Sequence, residues 1–297
     1  MATGATVLQP TATRPAPDRP RGARWAALRT YAGVAIIVVW GLAPAAWMII
    51  TSFRPPNFAF ETSLWPSQPT WENYEAAFST DLGNHLGLAL ANSAFISITT
   101  TVIGLIFGTF AAYALARLKF RFKSILVGFI LGASMFPLVA LVTPLFQMFT
   151  DIGWIGTYQA LIIPNISFVL PLTIYTLTAF FTEMPWDLEE AARIDGCTQW
   201  QAFRKVILPL AVPGLFTTAI LAFIASWNEY LIASQLSSAQ TQPVTVAIAG
   251  FTGSQPHQEP WTTLMAAGTI VTVPLLVMVL LFQKRIVSGL TAGSVKG

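Results

Sequence analysis

The sequence predicts an all-α integral membrane protein with six membrane-crossing helices, and three observations carry that prediction. Of 297 residues, only 10% are charged and 54% are hydrophobic, with a mean hydropathy of +0.62. A soluble domain of this size carries about a quarter charged residues. Six apolar segments also reach the length of a bilayer span, which needs roughly 20 apolar residues. Finally, fifteen of the sixteen Lys and Arg fall in alternate connections between those segments.

The elements follow in chain order. Residues 1–29 are expected to be a disordered cytoplasmic tail, because the first 24 are rich in Pro, Thr, Ala and Arg and show no apolar period. They do not read as a secretory signal: the apolar run that follows is too long, and no small-residue cleavage site comes after it. A membrane domain is expected over 30–283, with spans at about 30–52, 88–116, 124–149, 157–181, 206–233 and 262–283. Pro44, Pro137, Pro144, Pro164, Pro171, Pro209, Pro213 and Pro274 lie within these spans. In a membrane, prolines bend helices without vetoing them, since neighbouring groups satisfy the freed carbonyls. The first outer loop, 53–87, carries Trp65, Trp71 and Tyr74, which read as an interfacial aromatic belt. The last outer loop, 235–261, is polar and lacks Lys and Arg, and residues 284–297 form a short tail.

Charge sets the orientation. Arg14, Arg19, Arg21, Arg24 and Arg29 precede the first span. Arg117, Lys119, Arg121 and Lys123 lie between spans two and three, Arg193, Arg204 and Lys205 between four and five, and Lys284, Arg285 and Lys296 in the tail. Arg54 alone falls on the other side. The positive-inside rule then puts both termini in the cytoplasm. The basic balance, pI about 9.2, is accounted for by topology and contact with anionic lipid, with no need for nucleic acid.

Residues 182–205 interrupt the apolar pattern with eight charged side chains: Glu183, Asp187, Glu189, Glu190, Arg193, Asp195, Arg204 and Lys205. Such a stretch faces water or another protein. Its local chemistry writes a helix–turn–helix. Asp187, just after Pro185, is expected to cap the first helix with Glu190 completing a capping box. Gly196 is expected to end that helix in the left-handed conformation. Thr198 then caps the second helix, with Gln201 three residues later. Ala191 and Ala192 would let the wall of a partner approach closely.

Other chemistries find little support. Cys197 is the single cysteine, so no intrachain disulfide or cysteine metal site can form. His85 and His257 are far apart, and neither supports a metal site or a catalytic dyad. No phosphate-loop pattern occurs, nor even a Gly-Lys pair, so energy from ATP would have to come from another polypeptide. An intramembrane enzyme would need clustered catalytic groups that the spans lack, and no catalytic residue is assigned. A free-standing carrier or channel has no obvious inverted repeat to support it.

Glu190, Ala191 and Ala192, three residues, Gly196, nine residues, then Val206, Leu208 and Pro209 together resemble the EAA loop of bacterial ABC-importer permeases, with valine replacing isoleucine. FIASWNEYLIAS at 223–234 and FQKRIVSGLTAGSVKG at 282–297 are similar to the carbohydrate-uptake, maltose-type branch, and to the second of its two unlike permeases. FTGSQPHQEPW at 251–261 looks like the outer loop of permeases for trehalose or other α-glucosides. The resemblance implies the type I importer permease fold and a transport subunit, not an enzyme. It implies four partners: a second unlike permease, two cytoplasmic ATPase subunits that bind ATP and Mg, and an extracytoplasmic sugar-binding protein. No cofactor or metal is expected on this chain, whose place would be a bacterial cell membrane. Glu189, Glu190, Ala191, Ala192, Arg193, Asp195 and Gly196 would form the ATPase contact. A permease for a non-sugar solute is the alternative within the family.

For the solute path the candidates are Asn92, Asn165, Trp227, Asn228, Glu229 and Tyr230, which lie in or at the ends of spans. A carboxylate in a span costs on the order of 2–3 kcal/mol on insertion scales, so it should face a cavity or a partner. Amides and carboxylates bind sugar hydroxyls, and aromatic rings stack on sugar faces. Asn228 and Glu229 could equally glue helices together or hold the outer loop against the companion permease, and both readings stay open here.

Overall fold

The computed structural model describes residues 22–251 and 260–292, which contain helices and no strand. In order these are α1 (Gly22–Ser52), α2 (Glu72–Phe78), α3 (Leu86–Arg117), α4 (Lys123–Ser134), α5 (Leu138–Asp151) and α6 (Tyr158–Glu183). They continue with α7 (Asp187–Ile194), α8 (Gln199–Ala202), α9 (Leu208–Trp227), α10 (Ala233–Leu236), α11 (Val244–Ala249) and α12 (Trp261–Ala292). The expectations for residues 1–21, for most of the 251–261 string with His257, and for the end of the tail lie outside the described residues.

The chain divides into two compact units, Met1–Trp47 and Met48–Gly297. The described part of the first is helical from Gly22, so residues 22–29 are not the tail expected from composition. Its apolar side chains Ile36, Ile37, Val39 and Trp40 are exposed, as suits a span whose surroundings are hydrocarbon.

In the second unit α3, α6 and α9 pack together, and α12 lies beside α2 and α9. Close approach of α3 and α6 depends on Gly108, where a Cβ would overlap the side chain of Thr173. Small residues at helix crossings are the usual means of packing in lipid, where no hydrophobic force drives helices together. Buried hydroxyls in this core return their protons to their own helix: Thr173 Oγ1 donates to the Val169 carbonyl at 2.9 Å and Thr218 Oγ1 to that of Gly214 at 2.9 Å. One apolar cluster, Ala112, Leu177, Phe181, Phe203, Ile207 and Ala211, closes the end of the bundle nearest α7.

Among the described residues, five single helices are long and apolar enough to cross a membrane: Ala27–Ser52, Leu86–Arg117, Tyr158–Glu183, Gln199–Trp227 and Trp261–Phe282. A sixth requires α4 and α5 together, and these meet at 87°. The span expected over 124–149, with prolines that only bend it, is therefore broken. Pro137 removes a backbone donor and drives Phe136 away from helical geometry, while α4 has no buried side chain that would hold it in line. At the other end of the chain, α12 runs past the expected boundary at 283 to Ala292.

The fifth span also differs. It begins at Gln199 and ends at Trp227, short of the expected 233. Between α8 and α9 a π-helical turn covers Phe203–Ile207, with the Leu208 N–H reaching back to Phe203 O. Pro209 cannot supply the N–H that the carbonyl four residues earlier expects, and a widened turn absorbs that defect.

The loop between α1 and α2 is organised by Arg54, which is fully buried. Its guanidinium donates to the carbonyls of Glu61 and Ser63, and Asn73 Nδ2 donates to those of Ser52 and Arg54 at 2.8 and 2.7 Å. Of the aromatics expected as a belt, Trp65 and Trp71 are exposed. Tyr74 instead packs beside Phe53 and shares a 2.6 Å hydrogen bond with Ser52.

Candidate functional site

Helices α7 and α8 form the expected helix–turn–helix. Thr198 and Gln201 make a reciprocal capping box: the Gln201 N–H donates to Thr198 Oγ1 at 3.3 Å and the Thr198 N–H to Gln201 Oε1 at 2.9 Å. Gly196 lies at φ +88°. Its N–H donates to Arg193 O at 3.1 Å and the Cys197 N–H donates to Ala192 O at 3.0 Å, the paired bonds of a Schellman stop. The first cap is not the one expected. Trp186 occupies the cap position, its carbonyl accepts from the N–H groups of Glu189 and Glu190, and no side chain caps the helix. Asp187 instead starts the first turn, where its charge and those of Glu189 and Glu190 suit the positive end of the helix dipole.

The seven expected contact residues fall on two faces. Glu190, Ala191, Arg193, Asp195 and Gly196 are exposed, joined by Ile194, whose side chain is 86% accessible. Ala192 and Glu189 are each only 6% exposed. Glu189, expected on the partner face, is thus turned inward. Its Oε1 accepts a 2.8 Å hydrogen bond from Tyr113 Oη, and its Oε2 lies 4.0 Å from Arg117 Nε. Arg117, itself 4% exposed, also donates from Nη2 to Met184 O at 3.0 Å, with its guanidinium 4.5 Å from the centre of the Trp186 ring. In the sequence Arg117 stands only as one of the orienting charges. Nothing in the linear pattern marks a partner more than 70 positions away.

The solute-path candidates are also sorted by the fold. Asn165, Asn228, Glu229 and Tyr230 line one open-sided recess of about 400 Å³ together with Leu138, Phe168, Val169, Ala225 and Leu231. Asn228 and Tyr230 are exposed, though Asn228 Nδ2 donates to the Ile224 carbonyl of its own helix at 2.9 Å. Glu229 has both carboxylate oxygens engaged, accepting from the N–H of Ile232 at 2.7 Å and of Ala233 at 3.0 Å. That arrangement ends the fifth span and starts α10, which is why the helix stops before 233. Asn92 and Trp227 are elsewhere. Asn92 donates to the carbonyls of Gln240 and Gln242 at 2.9 and 3.1 Å and accepts from Tyr158 Oη at 2.7 Å, so it is a brace for the loop. Trp227 is 3% exposed in an apolar cluster and stacks on Phe223 with ring centres 5.4 Å apart.

A bundle of apolar spans, an exposed helix–turn–helix inserted between two of them and a half-open, mostly apolar recess carrying a few polar groups define a membrane transport component. Comparison with known proteins gives the particular family. Residues 104–291 match the family described as binding-protein-dependent transport system inner membrane component, and the chain belongs to it. It is 48% identical over 278 residues to the trehalose transport system permease protein SugB of Mycobacterium tuberculosis, covering 93% of this chain and 98% of that one. It is 41% identical over 269 residues to the trehalose/maltose transport system permease protein MalG of Thermococcus litoralis, covering 89% and 95%. The fold is that of a bacterial ABC transporter involved in the import of the acidic polysaccharide alginate, with a TM-score of 0.73 at 22% identity over 91% of this chain and 99% of that one. The protein is a membrane-embedded ABC-importer permease, a transport subunit and not an enzyme.

Proposed function

We propose that this chain is one of two unlike permeases of an ATP-driven importer for a di- or oligosaccharide of the trehalose or maltose kind. It sits in a bacterial cell membrane with both termini in the cytoplasm, a reading supported by the alternation of basic connections. Two ATPase subunits bind ATP and Mg and grip the exposed face of α7, with Glu190, Ala191, Arg193, Asp195 and Gly196 as the contact. Ile194 is the apolar tooth of that face. An extracytoplasmic binding protein delivers sugar to the opposite mouth. Closure of the ATPases shifts the spans between two arrangements, and the loaded binding protein biases the same equilibrium. Asn165, Asn228, Glu229 and Tyr230 are this chain's share of the sugar path.

The observation that carries the reading is the outward presentation of Glu190, Ala191 and Ile194 beside a left-handed glycine stop, on a chain whose sequence holds no phosphate-loop pattern. The sugar class is supported by the trehalose and trehalose/maltose permeases among its relatives. The test is to isolate the transporter through a tag on this chain, reconstitute it with its binding protein, and measure ATP hydrolysis with a panel of disaccharides. An α-glucoside such as trehalose or maltose should stimulate hydrolysis. Stimulation by non-sugar solutes alone, or purification without any ATPase, would overturn the proposal. Impermeant labelling of single cysteines in the 182–205 loop should succeed only from the cytoplasmic side.

A further inference from the structure

Helix α7 has eight residues, too few to hold its shape alone, and it hangs between the extended Met184 and the turn at Gly196. A push on its exposed face would fold it aside unless its inner face were braced. The brace is on α3. Tyr113 and Arg117 stand one helical turn apart, on the same face, and together they hold three points of the α6–α7 connection: the Glu189 carboxylate, the Met184 carbonyl and the Trp186 ring. Both charged groups are almost wholly buried. Drawing α7 away from α3 would leave each charge in the interior without its counterpart, which strongly opposes separation, and burial spares the pair the screening that weakens surface ion pairs.

We infer that Arg117, Tyr113 and Glu189 form a positioning latch that makes α7 move as one body with the end of α3, so that the ATPase stroke enters the bundle through span two as well as through spans four and five. The inference deepens the coupling role proposed above and rests on it. The latch residues touch neither nucleotide nor sugar. Their part is to transmit force.

The test uses the complete transporter, purified through this chain and reconstituted with its binding protein, carrying Glu189→Gln, Tyr113→Phe or Arg117→Met. In Glu189→Gln and Arg117→Met, ATPase subunits should co-purify in wild-type proportion while sugar moved per ATP hydrolysed falls by about tenfold or more. Tyr113→Phe should give a smaller loss. The exchanged pair Arg117→Glu with Glu189→Arg should recover transport beyond either single exchange. Sugar per ATP unchanged in the single variants would overturn the latch. So would a loss that merely tracks missing ATPase, with no recovery in the exchanged pair.

A second measurement does not depend on how those variants fold. Spin labels at Lys119 and Asp187, in a transporter carrying Cys197→Ser, should report the same separation with and without ATP. A change of about one helical turn, roughly 5 Å, would sink the inference. If no ATPase accompanies the wild-type chain, the coupling role itself has failed. Intact coupling in the latch variants would remove only the latch.

Discussion

Gly196 holds φ +88°, a backbone setting that costs an L residue roughly 1–2 kcal/mol and that proline cannot adopt. Gly196→Pro is expected to abolish sugar-stimulated ATP hydrolysis while the chain remains in the membrane fraction, and Gly196→Ala to weaken stimulation only partly. Coupled uptake at the normal rate in the proline variant would refute the role given to this turn. Asn92 and Tyr230 separate bracing from path. Asn92→Ala removes part-buried hydrogen bonds to two loop carbonyls and the Tyr158 hydroxyl, at about 0.5–1.5 kcal/mol for each. It should lower the melting temperature of the purified complex without a selective change in the half-saturating sugar concentration. Tyr230→Ala should do the reverse, and matched effects on both measurements would erase the distinction. The glycine stop and the Thr198–Gln201 box were legible because they depend on residues within three positions. Glu189, Asn92 and Trp227 were not, because the direction of a polar or aromatic side chain at a helix end depends on which distant element lies beneath it.

Among the elements, the α3–α6 crossing makes the sharpest prediction. A side chain at Gly108 collides with Thr173, so Gly108→Val should destabilise the subunit by about 1–3 kcal/mol through overpacking. Thermal unfolding in detergent would show it, and an unchanged midpoint would mean the helices part more easily than this packing implies. Most span positions could be read from apolar length and flanking charge, since both are summed over some twenty residues. The α4–α5 break could not. Pro137 was visible, but a proline bends a span slightly or severs it according to how its neighbours hold the two halves. Here α4 offers no buried residue and α5 only Phe149. The early end of the fifth span was hidden for a related reason: Glu229 stops it by binding two backbone N–H groups beyond it, a local choice that hydropathy does not register.

For the whole molecule, membrane residence and permease class were legible, because the scarcity of charge, its alternation and the spacing from Glu190 to Pro209 all speak together. The specific solute is not encoded at that scale, since one chain supplies only an open-sided recess. A consequence follows from the wide turn at Phe203–Ile207. It houses a surplus residue in what is otherwise a continuous rod from Gln199 to Trp227, and each residue of such a rod advances its azimuth by roughly 100°. The turn therefore acts as a vernier, indexing Asn228 and Glu229 at the far tip against α7 at the near one. Deleting Val206 should spin the tip out of phase and silence uptake even though the side chains named for the recess and for α7 are all still present, and an alanine inserted after Ile207 in the same chain should restore part of it.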